Sequence, residues 1–261
     1  MKKNGRLLDL EFMKDNKKIF VIAGVIVVAL VLILVFRMIL GSESKETEKG
    51  YAYLKSLEKK DTVTIEKKVK KVKRDAQAEA VEKGEISVWE QFNGSVLFGD
   101  SRTVGFQYYE FLDKKQVLAK NGLTIKDIDT YLPQIKTLNP SVLFLCTGLN
   151  DVSTGLWKSP EDYVKSYEEK IQLLKKELPD TEIYINSIIP VQKPASGHAY
   201  NKKIPGYNKA VKAWCKEKGY AYIENKEVYE EHKDLYDVDG IHFQKKFYEY
   251  WALNMLEEVN E

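Results

Sequence analysis

The chain is predicted to fold as an α/β protein, a three-layer α/β/α sandwich with a parallel central sheet, preceded by one transmembrane helix and a helical stalk. Three observations predict this. From about Ile86 short apolar runs alternate with amphipathic stretches, the pattern of strand–helix units whose sheet is covered on both faces. Well ahead of them stands an uncharged run, Ile19 to Phe36. Between the two, Glu43 to Lys83 is rich in Lys and Glu and has no proline.

Composition narrows the function classes. The 261 residues are 44% hydrophobic and 31% charged, which suits one globular domain plus additional segments. A formal net charge of +2 supplies no strongly basic face, so nucleic acid is not an expected partner. Cys146 and Cys215 lie far apart, outside any CxxC or Cys/His cluster. They read as two buried thiols, with no metal, disulfide or cofactor expected.

Taken in order, residues 1–18 form an amino-terminal tail. At about 1.5 Å per residue, Ile19–Leu40 reaches roughly 30 Å, the depth of a bilayer core, and reads as a transmembrane anchor. A cleaved signal peptide is the rival, but Arg37-Met38-Ile39-Leu40-Gly41 offers no small-residue cleavage site. Lys2, Lys3, Arg6, Lys14, Lys17 and Lys18 precede the run, whereas the basic residues after it are diluted by Glu43, Glu46 and Glu48. That asymmetry leaves the amino terminus in the cytoplasm and the remainder outside. In the stalk, 41–85, Ile65, Val69, Val72 and Ala76 share one helical face. The basic run Lys67 to Arg74 reads as a solvated helix face, with an anionic polymer or lipid as the alternative.

The domain is predicted over 86–261. Its candidate strands are Val96–Phe98, Gln116–Ala119, Ser141–Cys146, Glu182–Ile188 and Ala221–Ile223. Helix-like stretches are Arg102–Phe111, Ile128–Leu138, Pro160–Leu178, Pro205–Lys218 and Lys245–Asn260. The long polar segment Val191–Ile204 reads as a loop at the substrate cleft.

Loops just past the strand ends hold the residues that matter. Gly99-Asp100-Ser101 follows the first strand, Asn121-Gly122-Leu123 the second and Gly148-Leu149-Asn150-Asp151 the third; Asp239-Gly240-Ile241-His242 precedes the last helix. In open α/β sheets this rim is where ligands bind. Each segment alone is ordinary turn chemistry. Together, a serine, a glycine, an asparagine and an Asp-x-x-His pair are the parts an acyl-transfer site needs.

At these residues the chain resembles the SGNH hydrolase superfamily, the GDSL-like esterases, over roughly Ser95 to Glu261. The resemblance implies a flavodoxin-like sheet and the catalytic set Ser101, Asp239 and His242. It also implies an oxyanion hole made by the Ser101 N–H, the Gly122 N–H and the Asn150 side-chain amide, with Gly105 as the alternative glycine. A serine hydroxyl needs a base within hydrogen-bond reach, which His242 can supply. Asp239 can hold the imidazole in the required tautomer. There is no G-x-S-x-G elbow, which disfavours the α/β-hydrolase arrangement.

Arg102, Asp151 and His198 are candidate substrate-side residues. The alternatives are a carboxylate partner for Arg102, loop geometry for Asp151 as for Asp100, and simple exposure for His198. Trp157, Tyr200 and Tyr207 either stack on sugar rings or pack. The function expected is a membrane-anchored extracellular serine esterase removing small acyl groups, O-acetyl foremost, from a cell-envelope or other glycan. The alternatives are an O-acyltransferase with the same triad and a catalytically silent glycan-binding domain. The oligomeric state stays open.

Overall fold

The computed structural model describes residues 17–259; within them, the side chains of 17–20, 23, 38–46, 57–63, 67, 68, 82 and 196 lie outside the description. The predicted tail, apart from the backbone of its last residues, and the predicted end of the final helix at Asn260 therefore fall outside the described residues. The chain divides into two compact units, Met1–Lys70 and Lys71–Glu261.

The first unit contains most of one long helix, α1 (Lys17–Glu82). Its large apolar side chains described between Val21 and Phe36 are 45% to 64% exposed, so no described residue of this unit covers them. Among the described residues no helix is long and apolar enough to cross a membrane. The predicted span Ile19–Leu40 includes six positions whose side chains lie outside that description.

The second unit begins inside the predicted stalk. Within it, Arg74 and Ala78 are buried, Val81 packs against the same core, and Arg74 pairs with Glu257 at 3.1 Å. The helix end from Lys71 to Glu82 therefore belongs to the compact unit. The face singled out by sequence is not the one that packs: Ile65, Val69 and Val72 are exposed, as is Ala76.

The sheet contains β1 (Ser95–Gly99), β2 (Val117–Ala119), β3 (Val142–Cys146), β4 (Glu182–Asn186) and β5 (Ala221–Ile223). Its order is β2-β1-β3-β4-β5 and every pairing is parallel. These strands are apolar on both faces because both are covered. Alternate side chains serve separate cores. Val96, Phe98, Leu143, Leu145 and Ile185 enter one, with α3 (Ile128–Leu138), α5 (Pro160–Glu177) and α6 (Ile204–Lys218). Leu97, Phe144, Cys146, Tyr184 and Ile223 enter the other, with α2 (Ser101–Tyr108) and α8 (Lys245–Val259). Phe98, Phe106, Phe144 and Phe247 are at most 1% exposed. Burying each such ring contributes about 1.5–3 kcal/mol before conformational entropy is subtracted.

Local chemistry sets the helix limits. Ser159 caps α5 by accepting from Asp162 N at 3.2 Å, and Pro160 occupies its first turn. Gly219, at φ +71°, ends α6 in the left-handed conformation that glycine favours. Two short helices were not anticipated, α4 (Leu149–Ser153) and α7 (Lys226–Glu231), and the segment Val191–Ile204 contains two 3₁₀ turns.

Candidate active site

The sheet order reverses direction at β1 and β3, and such a switch point opens a crevice at the carboxyl ends of the strands. Register levels three of those ends, since Gly99 lies opposite both Ala119 and Cys146. Ser101, Gly122 and Asn150 follow these residues closely, so one rim receives all three.

Gly99 is required by space: a Cβ there would lie 2.0 Å from Thr103 Oγ1 and 2.9 Å from the Cys146 carbonyl oxygen. The chain then turns directly into α2. Asp100 caps that helix, its carboxylate accepting from Arg102 N at 3.0 Å. Ser101 is the first helical residue, and its N–H is among those left over at a helix start.

The partner loop is built by Asp239. Its Oδ1 accepts from the N–H groups of Ile241 at 2.7 Å and His242 at 2.9 Å, while Oδ2 accepts from His242 Nδ1 at 2.6 Å. With Nδ1–H committed to the carboxylate, Nε2 faces Ser101 Oγ at 2.9 Å as an acceptor. Burial raises the Asp239 pKa, but hydrogen bonds from the His242 ring and the two backbone N–H groups outweigh it and hold the carboxyl below its ordinary value. Gly240 takes φ +68°, and a Cβ there would lie 2.3 Å from the Gln192 carbonyl oxygen. Gln192 N donates to Gly240 O at 2.7 Å, fastening this loop to the segment after β4.

The segments carrying the other two predicted oxyanion groups are joined through Leu123. Asn150 Nδ2 donates to Leu123 O at 3.1 Å, using one of its two N–H groups beside Gly122. Gly122 is exposed at φ +78°, with open space where a Cβ would be. Gly148 has φ +129°, and a Cβ would lie 2.4 Å from Ile188 Cγ1. Gly105, the alternative glycine, is buried within α2, where a Cβ would lie 1.9 Å from the Tyr248 hydroxyl; it offers nothing to the rim.

The three substrate-side candidates differ in burial: Arg102 and Asp151 are buried and His198 is exposed. Arg102 is 3% exposed; its Nη1 donates to Ile189 O at 2.5 Å and the guanidinium lies 5.1 Å from the Phe243 ring centroid. It braces the interior rather than facing a ligand. Asp151 is fully buried, and its Oδ1 accepts from Ile125 N at 3.2 Å and Trp157 Nε1 at 3.1 Å. These two bonds tie the loop after β3 to Ile125 and Trp157. Burial, partly offset by these two donors, pushes its pKa up to about 7. His198 is exposed and stacks on Tyr200 with centroids 5.3 Å apart. Tyr207 is buried with its hydroxyl on Trp157 O at 3.4 Å, so it packs.

Sequence reasoning missed Asn208, whose amide exchanges hydrogen bonds with Ile188 N at 2.8 Å and Ile188 O at 2.9 Å. It fixes the chain leaving β4, and a lone asparagine within an amphipathic helix gives no signal of that use.

The parallel sheet thus carries serine, histidine and aspartate in hydrogen-bond contact at its carboxyl rim. The GDSL-like Lipase/Acylhydrolase family model matches residues 97–250, more than half of the chain, and the chain belongs to that family. A comparison with curated proteins finds no match. Solved structures share the fold. A GDSL-like lipase from Bacteroides thetaiotaomicron is 16% identical at TM-score 0.52, with 64% of this chain and 87% of that chain covered. The lipase/acylhydrolase from Enterococcus faecalis is 17% identical at TM-score 0.52, covering 63% and 93%. A carbohydrate esterase family 3 protein from Talaromyces cellulolyticus is 15% identical at TM-score 0.50, covering 64% and 95%.

Proposed function

We propose that the protein is a serine esterase that removes small acyl groups, O-acetyl foremost, from a glycan, and that its amino-terminal helix anchors it in a membrane. One observation carries the chemistry: the continuous contact from Asp239 Oδ2 through the His242 ring to Ser101 Oγ, at 2.6 Å and 2.9 Å. In the first half-reaction, His242 Nε2 takes the hydroxyl proton as Ser101 Oγ bonds to the acyl carbon. Asp239 stabilises the resulting imidazolium. The carbonyl oxygen becomes an oxyanion, held by the Ser101 N–H, the Gly122 N–H and the free N–H of Asn150. His242 then protonates the departing alcohol, leaving acyl-Ser101. Water repeats the sequence and releases the carboxylic acid.

The glycan assignment rests on weaker support. The Asp239 and His242 side chains are 42% and 41% exposed, so the site is open enough for a bulky alcohol component. A carbohydrate esterase is among the proteins of similar fold. The anchor rests on the uncharged run Ile19 to Phe36, and the basic residues before it support an extracellular position for the domain. A fluorophosphonate probe tests the nucleophile: the full-length protein is expected to label at Ser101 and the Ser101→Ala variant to stay unlabelled. Equal labelling of both would contradict the assignment.

A further inference from the structure

On the oxyanion side of the domain lies a groove of about 640 Å³ that the acyl chemistry does not use. Its walls come from the 3₁₀ turn Ile125–Asp127, the segment after α4, and α3 and α5. Trp157 forms one wall, and its position is set by the site itself. The indole N–H is held by Asp151, next in sequence to Asn150, and the same carboxylate oxygen holds the N–H of Ile125. The ring is thereby tied to both chain segments that bring the oxyanion donors together.

The groove is lined by four lysines and three carboxylates, Asp129, Asp162 and Glu169. Lys170 grips Asp129 with contacts of 2.8 Å and 2.7 Å, and Lys165 lies 3.7 Å from Asp162. Those pairs are neutralised within the wall. Lys126 instead lies over the Trp157 ring, with Nζ 4.7 Å from the centroid, and Lys158 is exposed beside it. Among the described residues neither has a carboxylate partner. Leu156, 38% exposed, extends the apolar surface. An aromatic and aliphatic strip gives sugar rings a surface to lie on, and two lysines with no carboxylate partner reward anionic substituents along the same strand.

We propose that this groove binds an anionic glycan strand, one bearing carboxylate or phosphate groups, and that the strand is the alcohol component of the ester presented to Ser101. The second clause rests on the esterase reading; the binding itself does not. A polymer lying here runs along Trp157, whose indole N–H Asp151 ties to the loop that carries Asn150.

The test uses the full-length protein in detergent, as the Ser101→Ala variant so that turnover cannot intervene. It is titrated at low ionic strength with polygalacturonate and, separately, with neutral xylan. Polygalacturonate is expected to bind more tightly. Adding Lys126→Glu and Lys158→Glu together should weaken polygalacturonate binding by about tenfold or more, a difference that shrinks as salt screens the charges. Lys73→Glu, on the exposed surface of α1, and Lys216→Glu, on α6, should leave binding unchanged. If the double variant has a lowered melting temperature, Lys158→Ala, at an exposed side chain, supplies the comparison. Absence of polygalacturonate binding, or an equal loss in Lys73→Glu, would overturn the proposal. Groove-dependent binding in a protein whose wild type releases no acetate would uphold the groove and refute the esterase reading.

Discussion

The two halves of the site are held by different forces. On the nucleophile side, Asp100 and Arg102 are 3% exposed and Thr103 is fully buried, so Ser101 is placed by close packing between β1 and α2. On the base side, the Asp239 and His242 side chains are 42% and 41% exposed, and their loop keeps its shape through hydrogen bonds to backbone. Packing couples position to the stability of the whole domain. A hydrogen-bonded loop can be displaced while the domain stays folded. Changes on the base side should therefore cost activity before stability, and changes on the nucleophile side should cost both.

The largest separable effect is expected at Asp239. Asp239→Asn removes the acceptor that fixes the His242 tautomer, and the turnover number should fall by about 10⁴ with only a slight fall in melting temperature. A matching loss of stability would break the distinction. Asn150→Ala follows, with a fall of about 10²–10³ for one missing oxyanion donor. Steady-state kinetics on p-nitrophenyl acetate would detect it, and near-normal turnover would remove Asn150 from the oxyanion hole.

Two glycines sharpen the contrast. At Gly240 a Cβ meets the carbonyl oxygens of Gln192 and Lys193 at 2.3 Å and 2.5 Å, so Gly240→Ala should push the loop aside. A displacement of that kind costs on the order of 10² in rate. Gly99→Ala instead drives a methyl into Thr103 and the β3 backbone inside the core, and should cost about 1–3 kcal/mol of stability by overpacking. Urea denaturation of the two variants would separate these outcomes.

The smallest expected effect is a dependence on pH. Burial raises the Asp151 pKa from 3.8 to about 7. Between those values the unfolded chain has released this proton and the folded chain keeps it, so this group lowers stability as the pH rises through the window. Asp239 acts in the opposite sense: its pKa is lowered, so the stability it contributes is present above 3.8 and lost as acid takes the pH through its folded value. Asp151→Asn should gain melting temperature relative to wild type from pH 4 to pH 8. A constant difference across that range would refute the assignment.

Much of this was legible in the sequence because it rests on local rules. The runs Val96–Phe98 and Ser141–Cys146 are apolar enough to be buried strands, and the observed strands Ser95–Gly99 and Val142–Cys146 differ only at their ends. Ser101, Asp239 and His242 were singled out by residue type, loop position and the family resemblance, and they do meet. What failed was orientation. Arg102 and Ser101 are adjacent on α2, and sequence does not say which of two neighbours turns inward; Arg102 is taken by the carbonyl of Ile189, which lies 87 positions away. The packed end of α1 was hidden for a related reason. Periodicity finds an apolar stripe, but the face of α1 that packs is built on Arg74, Ala78 and Val81, and its charge is matched by Glu257 from the far end of the chain. Both partnerships are long-range and leave no local pattern.

The central claim is that Ser101, activated by His242, becomes covalently acylated. The most direct measurement is mass spectrometry of the full-length protein, quenched in acid soon after mixing with p-nitrophenyl acetate. The account predicts the added mass of one acetyl group on the peptide containing Ser101, accumulating in the wild type and missing from Ser101→Ala. Acetate release by the wild type with no acetyl on Ser101, or undiminished release by Ser101→Ala, would contradict it.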